Sequence, residues 1–452
     1  MARLGKHPAG LAVLAGTELA ERFSYYGMTA LLALYMNKQL LLPGHAEHVI
    51  GLAPLRHLFE FRGAMSDQAF ASLVYGWYGG LIYFTPIVGG WVADRWLGKK
   101  ATVILGALLM AAGHLAMTFD ATFLFALLLL ILGSGALKGN ISAQVGTLYP
   151  PDAESLRARG FTLFSTAINI GAVLGPLATG SAAQARGFHA GFGIAAGLMM
   201  VALLIYLAGS RYLPSQRKAA AKSAPLPKLT REEKRRTFAL LGVIALTILP
   251  NIAYPMIWNV GLVWIDQRVD LATPFGGIPA SWFTSADALG SVIAAAPLVA
   301  LWAWQSRRQR EPDSLTKIAI GCAIVGLSAL LLAAGSVMPQ ASGKVSVLWA
   351  LAGYLGMGVG FLWFWPITLT IVSQAAPAKV NSTMMGAAFL SLFAGIVIMG
   401  WVGSFYQQMS NGAFWTLDAA IAFVGGALIL LIRRPLASIV EPGGGRAQSP
   451  GR

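Results

Sequence analysis

The sequence predicts an all-α polytopic membrane protein with about twelve transmembrane helices in two six-helix halves. Three observations carry that prediction. Mean hydropathy over the 452 residues is +0.65 and only 11% are charged, whereas a soluble domain is about a quarter charged. Apolar runs long enough to cross a bilayer recur along the whole chain. A polar, basic segment over residues 213–237 separates those runs into six and six.

Taken in order, the runs lie near 10–37, 69–94, 100–118, 121–149, 158–182 and 188–212, giving an N-terminal bundle over residues 1–212. Six more lie near 238–266, 280–305, 314–335, 345–375, 382–408 and 413–433, giving a C-terminal bundle over 238–440. The linker 213–237 is too short to cross the membrane twice as helices, so no extra helix pair is expected between the halves. Residues 38–68, with Pro43, Pro54 and mixed charge, read as an exposed loop containing some helix. The Gly-rich tail, 441–452, reads as disordered. The first run is too long and too charged for a cleavable signal peptide.

The net charge of +15 is explained by orientation. With both termini and the linker on the cytoplasmic side, that side carries 25 Lys and Arg and the other side six. Only Arg22 and Lys138 are left inside the membrane. A charge so distributed serves topology, and no nucleic acid is expected as a partner. The single cysteine, Cys322, excludes an internal disulfide and a cysteine metal cluster. His45 and His48 stand three residues apart in a connecting segment and read as solvated surface, with no metal site.

One stretch of the first run stands apart, Thr17-Glu18-Leu19-Ala20-Glu21-Arg22-Phe23-Ser24-Tyr25-Tyr26-Gly27-Met28. Glu18, Glu21, Arg22, Tyr25 and Thr29 recur at helical spacing and share a face. Three ionisable groups there cannot face lipid, because each would cost a few kcal/mol or more at the membrane centre. Glu18 and Arg22, at i and i+4, form one pair by spacing, which leaves Glu21 over for work in a wet cavity. At the end of the second run, Gly90-Trp91-Val92-Ala93-Asp94-Arg95-Trp96-Leu97-Gly98-Lys99-Lys100 combines turn-permitting glycines with Asp94, which can meet a helix N-terminus or a basic partner.

That last motif resembles the loop signature of the major facilitator superfamily. Glu18-x-x-Glu21-Arg22 with Phe23-x-Tyr25-Tyr26-Gly27 resembles the first-helix signature of the proton-coupled oligopeptide transporter family. Similar matches follow in order: Tyr75-Gly76 with Tyr83-x-Thr85-Pro86, Lys138-Gly139-Asn140-Ile141-Ser142, Phe161-x-x-Phe164 with Ile168-Asn169-x-Gly171 and Pro176, and Ile278-Pro279-Ala280-Ser281-Trp282-Phe283. The resemblance implies a major facilitator fold working by alternating access, and import of di- and tripeptides driven by protons. It implies proton coupling by Glu18, Glu21, Arg22 and Lys138, with Asp94 and Arg95 gating. It places Tyr25, Tyr26, Thr29, Tyr75 and Asn169 in the substrate site, together with Trp258, Asp287 and Phe361. Several of these depart from the family pattern. Thr29 replaces a first-helix arginine, Phe361 a tenth-span glutamate and Trp258 a seventh-span glutamate. Ala388 replaces an eleventh-span tryptophan, and Asp287 an eighth-span asparagine. The missing arginine and glutamate hold the peptide carboxylate and amine in typical members, contacts worth about 1.5–3 kcal/mol each.

Charge arithmetic supports coupling independently. Glu18, Glu21 and Asp287 against Arg22 and Lys138 leave one net negative charge in the cavity, which one proton neutralises. Phe361, Trp363, Phe364 and Trp365 form an aromatic cluster expected to pack. The expected function is therefore a proton-coupled symporter importing di-/tripeptides or peptide-like small molecules. Its alternatives are a carrier or exporter of another amphipathic solute, and a non-transporting membrane receptor. No nucleophile–base pair or phosphate loop indicates an enzyme, and no cofactor is called for beyond protons as the coupling ion. The expected partners are a peptide or small-molecule substrate and the lipid bilayer. The expected state is a monomer, multi-pass in a bacterial plasma (inner) membrane with both termini cytoplasmic.

Overall fold

Each expected span is a helix. In a computed structural model, residues 3–4, 7–150, 152–214, 229–274, 276–338, 340 and 342–440 are described. The middle of the linker, where an extra helix pair was excluded by length, and the tail expected to be disordered lie outside the described residues.

The first six spans are α1 (Ala9–Tyr35), α3 (Asp67–Val92), α4 (Lys99–Ala116), α5 (Phe123–Thr147), α6 (Glu154–Arg186) and α7 (Phe188–Gly209). Between α1 and α3 the expected loop contains the short helix α2 (Leu52–Phe59) flanked by 3-10 turns. The seventh span is broken into α8 (Arg231–Leu246), α9 (Ile248–Ala253), a 3-10 turn Tyr254–Trp258 and α10 (Val260–Arg268). Pro250 and Pro255 lie in this stretch, and a proline lacks the N–H that continues the helical ladder. The remaining spans are α11 (Phe283–Arg307), α12 (Ser314–Val337), α13 (Val347–Ala375), α14 (Asn381–Gly403) and α15 (Asn411–Val440). Two-residue antiparallel ladders, β1–β2 (Arg3–Leu4, His7–Pro8) and β3–β4 (Ala272–Thr273, Gly276–Gly277), are the strands among the described residues. Ten of the twelve spans are long and apolar enough to cross a membrane by length and composition. The other two are α1, which carries Glu18, Glu21 and Arg22, and α3, which is rich in Tyr, Trp and Gly.

The chain packs as two compact units. The first comprises Met1–Ala221, Ile257–Ala288 and Gly400–Gln407; the second comprises Lys222–Met256, Leu289–Met399 and Gln408–Arg452. In the first, α1 packs on α6 and α7, and α5 packs on α3 and α4. Glycine makes these approaches possible: a Cβ on Gly171 would lie 2.8 Å from the Leu19 carbonyl oxygen, and one on Gly89 would run into the Gly135 backbone. The segment Ile257–Ala288 is bound into the same unit by polar contacts. Trp282 Nε1 donates to the Leu177 carbonyl at 3.0 Å, Ser285 Oγ to Val173 at 2.7 Å, and Asn259 Nδ2 to Ser72 Oγ at 2.6 Å. In the second unit α12 lies between α13 and α15.

His45, half exposed, has a partner that the sequence did not show. Its Nδ1 is 2.6 Å from Asp120 Oδ2, while His189 Nε2 and the Tyr35 hydroxyl share Oδ1 at 2.7 and 2.5 Å. Sequence spacing could not reveal this, because the carboxylate lies 75 residues from His45. His48 is exposed. Cys322 is buried and free.

Candidate functional site

The site begins with how α1 is held. Gly171 and Gly175 of α6 bring its backbone against Leu19 and Phe23, and Thr179 Oγ1 donates to the Gly27 carbonyl at 2.8 Å. On another side Ser24 Oγ donates to Ala195 of α7 at 2.6 Å. With two faces of α1 so occupied, the charged face is turned into the unit. Glu18, Glu21 and Arg22 are 3%, 0% and 6% exposed, so none meets lipid.

Their pairing corrects the spacing argument. Arg22 Nε lies 3.0 Å from Glu18 Oε1, as i, i+4 predicts, but it is in still closer contact with Glu21 Oε2. Glu21 is not left over; one guanidinium serves both carboxylates. The contacts are Coulombic, since Arg22 Nε is not aligned as a hydrogen-bond donor to either. Glu18 Oε2, Glu21 Oε1 and Arg22 Nη2 are buried with no hydrogen-bond partner among the described residues. With both acids ionised the triad carries one net negative charge, and such an under-satisfied group is costly in a low-dielectric interior. One proton removes the excess.

Lys138 is held differently. Its position on α5 is set where that helix meets α3, by Gly89 against Gly135 and by Asn140 Nδ2 donating to the Gly89 carbonyl at 3.3 Å. It makes no ion pair among the described residues. Instead Nζ lies over the rings of Tyr25 and Tyr83, 4.2 and 5.3 Å from their centroids. The Arg22 guanidinium lies 5.3 Å from the same Tyr25 centroid. Tyr25 thus presents its π-system to both cations, contacts worth about 2 kcal/mol when desolvated.

The substrate-site candidates divide. Tyr25 and Tyr26 meet edge to face at 5.2 Å, and Tyr75 is buried on α3. Thr29 turns its hydroxyl back to the Tyr25 and Tyr26 carbonyls at 3.0 and 3.2 Å. Asn169 is exposed on α6. Trp258 Nε1 donates to Asp287 Oδ2 at 3.2 Å, and Asp287 is 3% exposed. Phe361 belongs to the second unit, where it stacks on Tyr254 with centroids 5.0 Å apart; Trp363, Phe364 and Trp365 are buried there, as their packing role requires. Ala388 is fully buried. Asp94 and Arg95 are exposed on a π-turn and form no ion pair among the described residues. Gly98, at φ 78°, makes the turn that follows.

Two clefts, of about 450 and 390 Å³, flank the ion pair of Lys38 Nζ with Asp266 Oδ1 (2.7 Å) at the C-terminal end of α1. Neither is lined by the glutamates or Lys138. Sequence reasoning missed one buried acid, Asp418 on α15, although it was legible as the sole acid of the twelfth apolar run.

Comparison with known proteins gives the family. The profile of the POT family matches residues 100–228 and 219–417. An uncharacterized transporter of Bacillus subtilis strain 168, YclF, is 29% identical, with 94% of each chain covered. A di-/tripeptide transporter of Lactococcus lactis subsp. cremoris is 27% identical over 96% of each. A crystal structure of the peptide transporter POT in complex with sulfate superposes with a TM-score of 0.84 at 26% identity, covering 97% of both chains. A mutant of a peptide transporter POT in complex with alafosfalin gives the same score at 27% identity. With its helical spans, its buried first-helix charges and a family profile matching most of its length, the chain belongs to the POT family, whose members are transporters and not enzymes.

Proposed function

We propose that this protein is a proton-coupled symporter that imports di-/tripeptides or peptide-like small molecules by alternating access. The observation that carries the reading is the buried triad of Glu18, Glu21 and Arg22, one negative charge in excess, with Glu18 Oε2, Glu21 Oε1 and Arg22 Nη2 lacking hydrogen-bond partners among the described residues. A proton taken up there neutralises the triad and loosens the hold of Arg22 on one carboxylate. Lys138, held on aromatic faces, is a cation that a second negative group can recruit without first breaking an ion pair. Tyr26, Tyr75, Asn169, Trp258 and Asp287 are the candidate substrate contacts of the first unit. The basic 213–237 linker and both termini lie on the cytoplasmic side of a bacterial inner membrane, and the protein acts as a monomer. Asp94 and Arg95 serve as a latch in a conformation in which they find partners.

A second reading, transport of another amphipathic solute, is favoured by two contacts. The Thr29 hydroxyl is spent on its own helix, and Phe361 is stacked on Tyr254, so neither offers a peptide terminus a charge. Proteoliposomes with an imposed inward proton gradient test both. Concentrative uptake of labelled dipeptides is the expected outcome. Proton-dependent exchange that a dipeptide library does not compete would move the assignment to the second reading, and no transport at all would end it.

A further inference from the structure

Asp418 lies on the buried stripe of α15, one turn from Phe414 and one from Ala422, and none of its side chain reaches solvent. Both carboxyl oxygens are without a hydrogen-bond partner among the described residues. Glycine contacts fix its surroundings. Gly412 packs on Val337 and Ala333 of α12, and Gly426 on Cys322 and Ala319, which sets the α12 face of α15. Asp418 lies about a quarter turn round the helix from that face, on the side that carries Gly425. Gly425 packs on Leu249 and Pro250 of α9. Two turns back along α15, Asp418 is therefore about level with Tyr254–Met256, where the seventh span leaves its α-helical path.

Among the described residues Asp418 forms no ion pair, and the titratable groups of the packed elements are few. On α12 the titratable groups are Lys317, paired with Glu311 at 2.5 Å, and Cys322 beside Gly426. On α8 they are the Arg231–Arg236 cluster at the helix start, on α9 there are none, and Tyr254 is stacked on Phe361. On α15 itself Arg433, about four turns away, pairs with Asp313 at 2.6 Å, and Arg434 is next to it in sequence. Ser328 Oγ donates to its own helix at Ile324.

An ionised carboxylate without a countercharge or a donor is not tolerated in such a place. A metal cation would need several ligands, and no cluster of three or more His, Cys, Asp or Glu side chains that could hold one is found among the described residues. The proton is the cation that fits. We propose that Asp418 is a second proton-binding site, in the second unit and separate from the Glu18–Arg22–Glu21 triad. It is held as the neutral acid in this conformation and releases its proton when the packing of α15 on α12 and α9 opens to water. The proposal rests on the symport reading for its transport consequence, but the protonation state is testable without transport.

The wild-type protein in proteoliposomes is treated with dicyclohexylcarbodiimide, which adds to protonated carboxyls in apolar sites, and the adduct is located by peptide mass spectrometry. An adduct at Asp418 that declines as pH rises is expected, and its absence overturns the proposal. In parallel, the proton-to-substrate ratio of Asp418→Asn, from reversal potentials, is expected to fall by one proton from wild type. An unchanged ratio in a folded variant means the acid does not cycle and overturns the carrier role. If the wild type transports with no proton dependence, the symport reading fails, and the adduct alone decides whether Asp418 binds a proton.

Discussion

Lys138 Nζ lies 4.2 Å from the centroid of the Tyr25 ring and forms no ion pair with Glu18 or Glu21. The aromatic ring receives this cation, with the Arg22 guanidinium on the same π-system at 5.3 Å. Replacing Tyr25 by phenylalanine keeps the ring and its quadrupole, so proton-driven uptake should stay within a few-fold of wild type. Leucine removes about 2 kcal/mol of cation–π attraction, about thirtyfold in an equilibrium, and uptake should fall by an order of magnitude or more. Equal uptake by the two variants in proteoliposomes would remove the ring from the mechanism.

Glu21 has no solvent exposure and shares Arg22 with Glu18. Glu21→Gln leaves the pair with Glu18 intact and removes the excess charge for good. Accumulation against a gradient should be lost while exchange between equal substrate pools continues, as counterflow measurements would show. A Glu21→Gln variant that concentrates substrate under an imposed pH difference would contradict this.

Neighbouring glycines of one motif should differ sharply. A Cβ at Gly89 collides with the Gly135 backbone, whereas one at Gly90 meets nothing within 4 Å. Gly89→Ala should destabilise by about 1–3 kcal/mol, the range for overpacking, and lower the unfolding midpoint in detergent. Gly90→Ala should be near neutral, and a reversed order would mean the α3–α5 contact is wrongly placed.

These cases indicate what the sequence could convey. Spans were legible because a bilayer demands runs of fixed length, and the charged face of α1 because helical spacing is local. The break of the seventh span was foreshadowed by Pro250 and Pro255 and passed over. The second partner of Arg22 was hidden because residues next to each other in sequence meet only through rotamers, and the aromatic bed of Lys138 because Tyr25 and Tyr83 come from two other helices. Asp418 was readable as an acid in an apolar run, but its isolation depends on what α12 and α9 present to it. Asp120 could not be tied to His45 and His189 without the fold.

Outside the membrane, Arg56 Nε donates to Glu60 Oε1 at 3.0 Å and the Met65 N–H adds a second bond at 3.2 Å. The Arg56 side-chain bond, then that from Met65, hold the Glu60 carboxyl below its ordinary value of 4.5. A depressed acid stabilises the fold above its unfolded value and loses that contribution as pH falls through the folded one. The segment 56–67 should therefore loosen below about pH 4, seen as faster amide exchange at Met65 after correction for the intrinsic rate. Glu60→Gln should show the faster exchange already at pH 6. If the variant and wild type exchange alike at both pH values, the bond does not order the segment.

Selectivity is where the chain departs most from its family. A substrate amine finds no acid at Phe361 or Trp258, and Trp258 instead donates its indole N–H to Asp287 at 3.2 Å. Asp287 is 3% exposed, which keeps bulk water from competing for its carboxylate. A charge-assisted contact from an ammonium group there is worth about 1.5–3 kcal/mol, so Asp287→Asn should weaken free-amine dipeptides about ten- to a hundredfold relative to N-acetylated ones. Thr29, its hydroxyl committed to Tyr25 and Tyr26, offers no charge to a carboxylate. Amidated dipeptides should accordingly compete nearly as well as free acids. Uptake competition by matched free-acid, amidated and N-acetylated dipeptides, in wild type and Asp287→Asn, reads both effects. A wide preference for the free acid would assign the carboxylate a cation other than the one Thr29 replaces. An unchanged ranking in the variant would take Asp287 out of amine recognition.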